Sequence, residues 1–111
     1  MEETPIDPIS SIILVGKNAV DNWKILSEAD QTDTIFHLDS LPSPYVIVKK
    51  PMDELEKADI IAAAVTCKSK SKFKSIPKVT IMWTSVNNVT KGKVTGEFCI
   101  KASSKVKTIT I

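Results

Sequence analysis

An α+β domain is predicted, with a mixed or antiparallel sheet and two main helices in the order β-α-β-β-α-β-β-β. Three observations predict it. Short runs of β-branched and aromatic residues recur between turn signals, at residues 11–15, 34–38, 45–49, 79–84, 94–101 and 106–111. Only residues 19–29 and the stretch from Asp53 to Cys67 hold apolar side chains at helical spacing. Strand-rich ends with helices between them suggest a sheet carrying its helices on one face, and two helices are too few for a doubly wound parallel sheet.

Residues 1–10, with Pro5 and Pro8 among acids, read as a flexible or extended arm before a domain at residues 11–111. The run SIILV fits a buried strand, and Gly16 ends it. Asn18 is a good cap for a helix over residues 19–29, on which Val20, Trp23, Ile25 and Leu26 supply an apolar face. Trp23 reads as a core anchor, with stacking on a nucleic-acid base as the sharper alternative. Residues 34–38 and 45–49 flank a centre where Pro42 and Pro44 push Leu41 and Ser43 out of the helical region, which predicts a bent pair of strands.

Pro51 closes that pair. Asp53 with Glu56 has capping-box form, and the helix it starts is expected to run to about Cys67, with Leu55, Ala58, Ile61, Ala62 and Val65 near one face. Lys68 to Lys78 carry five lysines with Lys70, Lys72 and Lys74 between them, around Phe73. That pattern fits either a solvated loop or a phosphate-contacting one. Asn87 and Asn88 mark a turn, residues 102–104 another, and VKTITI at the end alternates with clean period two.

Composition narrows the function classes. The 111 residues fit one domain, and no apolar run approaches the roughly 18 residues that cross a bilayer. The acidic, polar N-terminus lacks the layout of a signal peptide, so the expected setting is intracellular and cytoplasmic, without a membrane. Cys67 and Cys99 have no second ligand at metal spacing, so neither a structural metal nor a cofactor is expected. Charge is polarised: residues 1–60 hold twelve acids and five lysines, whereas residues 61–111 hold ten lysines and one acid, Glu97. That asymmetry suggests a face for a polyanion. All fifteen basic residues are lysine, and lysine is a point charge on phosphate rather than a bidentate reader of guanine, which disfavours sequence-specific reading of duplex DNA.

Four motifs follow one another: Val15-Gly16-Lys17-Asn18 with Asn22, Ile35 to Leu38 with Pro42 to Val46 and Lys49, Trp83-Thr84 with Asn88, Val89 and Lys91, and residues 107–111. In that order they resemble the NFACT-R domain, the RNA-binding module of ribosome quality-control factors of the NEMF and bacterial fibronectin-binding-protein type. Val15, Gly16, Lys17 and Asn18, followed by Asn22, are similar to its strand-GKN signature. Ile35, Phe36, His37 and Leu38, then Pro42, Ser43, Pro44, Tyr45, Val46 and Lys49, resemble its Phe-His strand and PGSHV turn with a basic residue. Trp83 and Thr84, then Asn88, Val89 and Lys91, resemble its aromatic-Thr pair and Asn-Val-x-Lys turn. Residues 107–111 look like its closing strand, so the likeness spans residues 11–111. The chain departs from the pattern where Ser43-Pro44-Tyr45 replaces Gly-Ser-His and Lys49 replaces arginine. It also departs in having no match to the family's large N-terminal domain, nor to the long charged helix of the eukaryotic relative coiled-coil domain-containing protein 25. The resemblance therefore implies a stand-alone, non-catalytic RNA-binding module. Its implied partner is structured RNA such as tRNA or ribosomal RNA, with DNA as a competing ligand and the ribosome as a setting.

The candidate binding residues are Gly16, Lys17, Asn18, Asn22, His37, Tyr45, Lys49, Lys50, Lys68, Lys70, Lys72, Lys74, Trp83, Asn88 and Lys91. Lys17 sits at a strand-to-helix junction, where main-chain N–H groups can hold a phosphate. If about five of the lysines neutralise phosphates, log affinity falls against log salt with a slope near −3.5 to −4.5. Choice among nucleic acids then has to come from shape, or from bases stacking on Trp83, Tyr45 or His37. Two rival readings are a protein-interaction adaptor docking partners on its acidic and basic faces, and an RNA-processing or RNA-modifying enzyme centred on His37. The second lacks a visible nucleophile or orienting partner in the sequence.

Overall fold

The computed structural model describes residues 13–111. The predicted arm at residues 1–10 and the first two residues of the predicted strand at 11–15 lie outside that range. Seven strands and two helices follow one another: β1 (Ile13–Val15), α1 (Ala19–Glu28), β2 (Thr34–Leu38), β3 (Val46–Val48), α2 (Lys57–Ser69), β4 (Thr80–Ser85), β5 (Val89–Lys91), β6 (Phe98–Ile100) and β7 (Lys107–Thr110). The first sheet has the order β1-β3-β2-β4-β7 and is antiparallel throughout; β5 and β6 form a separate antiparallel hairpin. The predicted order holds with one addition. Residues 94–101 yield only the short β6, and β5 before it, where a turn alone was expected, is its partner.

The sheet is covered on both faces, not on one. Along β2, Phe36 and Leu38 point to the face covered by α2, where Val46, Val48, Ile81 and Trp83 meet Ala63, Ala64 and Cys67. Ile35 points the other way with Tyr45 and Ile47, against Ile25 and Leu26 of α1, against Ala29 just past its end, and against Val86, Val89, Phe98 and Ile100. Period-two alternation with apolar residues at both phases is the sequence mark of such a doubly covered strand, and β3 with its three buried residues shows it most plainly. At roughly 25 cal/mol per Å² of apolar surface removed from water, this two-sided burial is the main stabilising contribution.

Local signals decide the helix starts. Asn18 caps α1, its side chain accepting the Asp21 N–H at 2.9 Å. The buried face is Asn22, Ile25, Leu26 and Ala29, whereas Val20 stands 70% exposed. For α2 the box is formed one turn later than expected: Asp59 accepts the Glu56 N–H at 3.0 Å, and Met52–Glu54 make a separate 3₁₀ turn. Ala63, Ala64 and Cys67 are the α2 residues buried against the sheet. Ile61 and Val65, expected inside, are 40% and 48% exposed. Main-chain N–H donation from Glu56 and the Lys50 ammonium at 3.1 Å hold the Asp59 carboxyl below its ordinary range despite burial, so it is ionised where it closes the helix start.

Candidate nucleic-acid interface

The turn between β2 and β3 and the tip of the β5–β6 hairpin both lie near the start of α1. Between them opens a cleft of about 970 Å³, lined by residues 16–19, by Asn22 and His37, by the turn through Pro42 and Pro44, by residues 70–72 and by the hairpin at residues 95–98. Antiparallel pairing of β1 with β3 sets one side: Val15 opposes Val46, so Gly16 follows directly and donates its N–H to Tyr45 O at 3.0 Å. Glycine is required there because a Cβ would overlap Oδ1 of Asn22, which accepts the Tyr45 N–H at 3.1 Å. The GKN…N pattern thus locks the start of α1 to the start of β3.

The opposite wall is the hairpin tip. Tyr45 Oη donates to Gly96 O at 2.6 Å, Trp23 Nε1 donates to Glu97 O at 2.7 Å, and Gly96, at φ +92°, rests on Ala19 so closely that no Cβ fits. Burial pushes the Tyr45 phenol up to about 12, so it stays a donor. Under the hairpin, His37 packs edge-to-face with Phe98 at 4.9 Å between ring centres and with Tyr45 at 5.7 Å. Its Nδ1 is 2.7 Å from Leu38 O, which can only accept, so the proton is on Nδ1. Burial lowers the His37 pKa from 6.5, against opposing pulls from the Leu38 and Ser43 main chain and from Asp39, and the ring is neutral near pH 7. The partner that orients the imidazole is a main-chain carbonyl and not the carboxylate of a catalytic relay.

The structure sorts the candidates. Gly16, Lys17, Asn18, Asn22, His37, Lys70 and Lys72 come together around the cleft. Lys74 is exposed in the adjoining loop. Tyr45 is fully buried and acts as a post beneath the hairpin. Trp83 is 7% exposed, stacked on Phe36 at 5.5 Å on the sheet face away from the cleft. Asn88 is buried and spends its amide on Thr84 and Ala102. Lys49 and Lys50 sit at the far end of β3, paired with Asp33 at 3.6 Å and Asp59 at 3.1 Å. Lys68 donates to Ile111 O, and Lys91 lies 5.4 Å over the Trp23 ring.

Phe98, Gly96, Glu97 and Met82 also line the cleft and were not singled out from sequence. Gly92 and Gly96, four positions apart and the second inside the strand expected at 94–101, were the available signal for a hairpin tip. The loop departure is also accounted for. Ser43 Oγ accepts the Leu38 N–H at 3.1 Å and donates to Pro44 O at 3.1 Å, closing the turn with its side chain where the family pattern has glycine.

A structure of the C-terminal part of the fibronectin/fibrinogen-binding protein from Streptococcus suis has a similar fold, with a TM-score of 0.79 at 20% identity; the match covers 89% of this chain and 40% of that one. This chain therefore spans less than half the length of that solved relative. No curated protein matches it. The family model described as "NFACT protein RNA binding domain" matches residues 6–106. With nearly the whole chain inside that match, and with the strand-GKN junction and the Phe-His strand meeting at one cleft, the chain belongs to the NFACT RNA-binding domain family.

Proposed function

We propose that this protein binds structured RNA, tRNA or ribosomal RNA, across the cleft and performs no chemistry on it. Lys17, Lys70, Lys72 and the first-turn amides of α1 take phosphates. The observation that carries this reading is the placement of lysines from two distant segments on one cleft. Lys17, Lys70 and Lys72 have no carboxylate partner among the described residues, while Lys49 and Lys50 are engaged by acids elsewhere. Free ammonium groups beside a helix N-terminus supply affinity for a polyanion without sequence choice. The family to which the chain belongs is described by RNA binding, which supports RNA over DNA. Ribosome-associated quality control in the cytoplasm is the setting in which such a module meets tRNA and ribosomal RNA together.

Titration of labelled tRNA, a ribosomal stem-loop and duplex DNA of matched length, at several salt concentrations, tests the proposal. Tighter binding of both RNAs than of DNA is expected, weakening as salt rises. Absence of RNA binding at low salt would sink it.

A further inference from the structure

We propose that the cleft accommodates one unpaired nucleotide of the bound RNA, its base against Phe98 and His37 and its phosphate at the Lys17 rim. This rests on the RNA-binding reading above and goes further by naming the RNA feature that is selected.

Size and shape come first. At about 970 Å³ the cleft lies at the upper end of the range for pockets that enclose small molecules. A paired A-form helix keeps its bases stacked inside and presents a broad surface of sugars and phosphates, so it touches the rim of such a cleft and leaves the interior unused. An extruded nucleotide reaches the interior.

The lining has two chemistries. Lys17, Lys70 and Lys72 are exposed at the rim, whereas Met82, Ile100, the half-buried Phe98 and the His37 ring lie within. Aromatic and apolar groups contribute nothing to holding a phosphate but match the face of a base. The one acid in the lining, Glu97, has Oε1 accepting the Val94 N–H at 3.3 Å, and its charge on the hairpin wall keeps phosphate toward the lysines opposite.

Two polar atoms of the lining, one on buried Asn22 and one on half-buried His37, lack partners among the described residues. Asn22 is 6% exposed and lines the cleft; its Oδ1 is spent on the Tyr45 N–H, and its Nδ2 has no acceptor among the described residues. Buried amide donors are nearly always paired, so one left open beside a cleft points to a ligand atom. His37, with its proton on Nδ1 and donated to Leu38 O, offers Nε2 as an acceptor. A fixed donor and a fixed acceptor in one cleft suit the polar edge of a base, which carries both kinds of group, better than a phosphate, which only accepts.

The test compares a fully paired RNA duplex with the same duplex carrying one bulged 2-aminopurine, read by anisotropy and by 2-aminopurine fluorescence. Wild-type protein is expected to prefer the bulged duplex roughly tenfold, with a fluorescence change on binding. Phe98→Leu keeps an apolar side chain in the hairpin; it is expected to abolish both the preference and the fluorescence change. Asn22→Asp retains an acceptor for the Tyr45 N–H, removes the donor, and is expected to reduce the preference. Equal affinity of the wild type for the two duplexes would overturn the inference while leaving RNA binding intact, as would an undiminished preference in both folded variants. Binding to neither duplex at low salt would instead overturn the RNA reading, and this inference with it.

Discussion

Replacing Lys17, Lys70 and Lys72 together with alanine separates the lysines proposed to meet RNA from lysines that hold the fold. In the structure these three are exposed on the cleft, while Lys49, Lys50, Lys68 and Lys91 each have an internal partner. If each of the three neutralises one phosphate at about −0.7 to −0.9 in slope, together they contribute about −2.1 to −2.7 to the dependence of log affinity on log salt. Raising salt fourfold, from about 50 to 200 mM, then weakens wild-type binding by roughly 20- to 40-fold through these contacts alone, and the triple variant no longer shows that part. The assay is anisotropy of labelled tRNA across that salt range, with thermal melts to confirm folding, because exposed lysines away from partners shift stability by only about 0.5 kcal/mol. The paired control, Lys49→Ala with Lys50→Ala, is expected to keep the slope and lower the melting temperature. A triple variant with the wild-type slope, or a control that loses it, refutes the assignment of the cleft as the phosphate face.

Three further perturbations probe how the cleft is built. Gly16→Ala places a Cβ on Asn22 Oδ1 and strands the buried Tyr45 N–H; a loss of about 2 kcal/mol is expected, read as a fall of about 8 to 16 °C in melting temperature, and a melt like wild type would contradict the packing. Tyr45→Phe removes the hydrogen bond to Gly96 O at a cost of about 1 kcal/mol, and hydrogen exchange at residues 96–98 should quicken while β2 and β4 keep their protection. His37 is held below 6.5 in the fold, so the unfolded chain takes up its proton first as pH falls. Stability present above about pH 6.5 is then lost as pH drops through the folded pKa, and His37→Gln should flatten that limb of the melting-temperature profile.

Much of the fold was legible because its signals are local. Asn18 as a cap, the β2 span and the bend at Pro42 and Pro44 each follow from residues within a few positions of one another. The errors have one physical character. Asp53 and Glu56 satisfy a capping box as well as Glu56 and Asp59 do, and only Lys50, reaching Asp59 from the end of β3, favours the later start. The box lies three residues later than the sequence reading put it, and the α2 residues on the sheet are Ala63, Ala64 and Cys67, not Ile61 and Val65. Helices on both faces could have been read from Ile35, Phe36 and Leu38, since a strand apolar at both phases has no face to leave in water.

The candidate site divides along the same line between local and long-range information. Gly16, Lys17, Asn18 and Asn22 were found together because one strand-to-helix junction carries them all. Tyr45 and Trp83 were read as surfaces for bases because an aromatic residue on a strand looks the same in sequence whether its face is open or covered. What covers Tyr45 is the β5–β6 hairpin, from a part of the chain about fifty residues away, with β5 only three residues long. Once that hairpin is in place the aromatic roles exchange. Tyr45 and Trp23 donate to the main chain of Gly96 and Glu97 and so set the height of the wall, while Phe98, carried on the wall itself, is brought against His37. The tyrosine that replaces the family's histidine therefore acts through position: it fastens the element that presents the half-buried Phe98 ring, and loosening it with Tyr45→Phe should weaken selection by Phe98 without removing a single lysine from the rim.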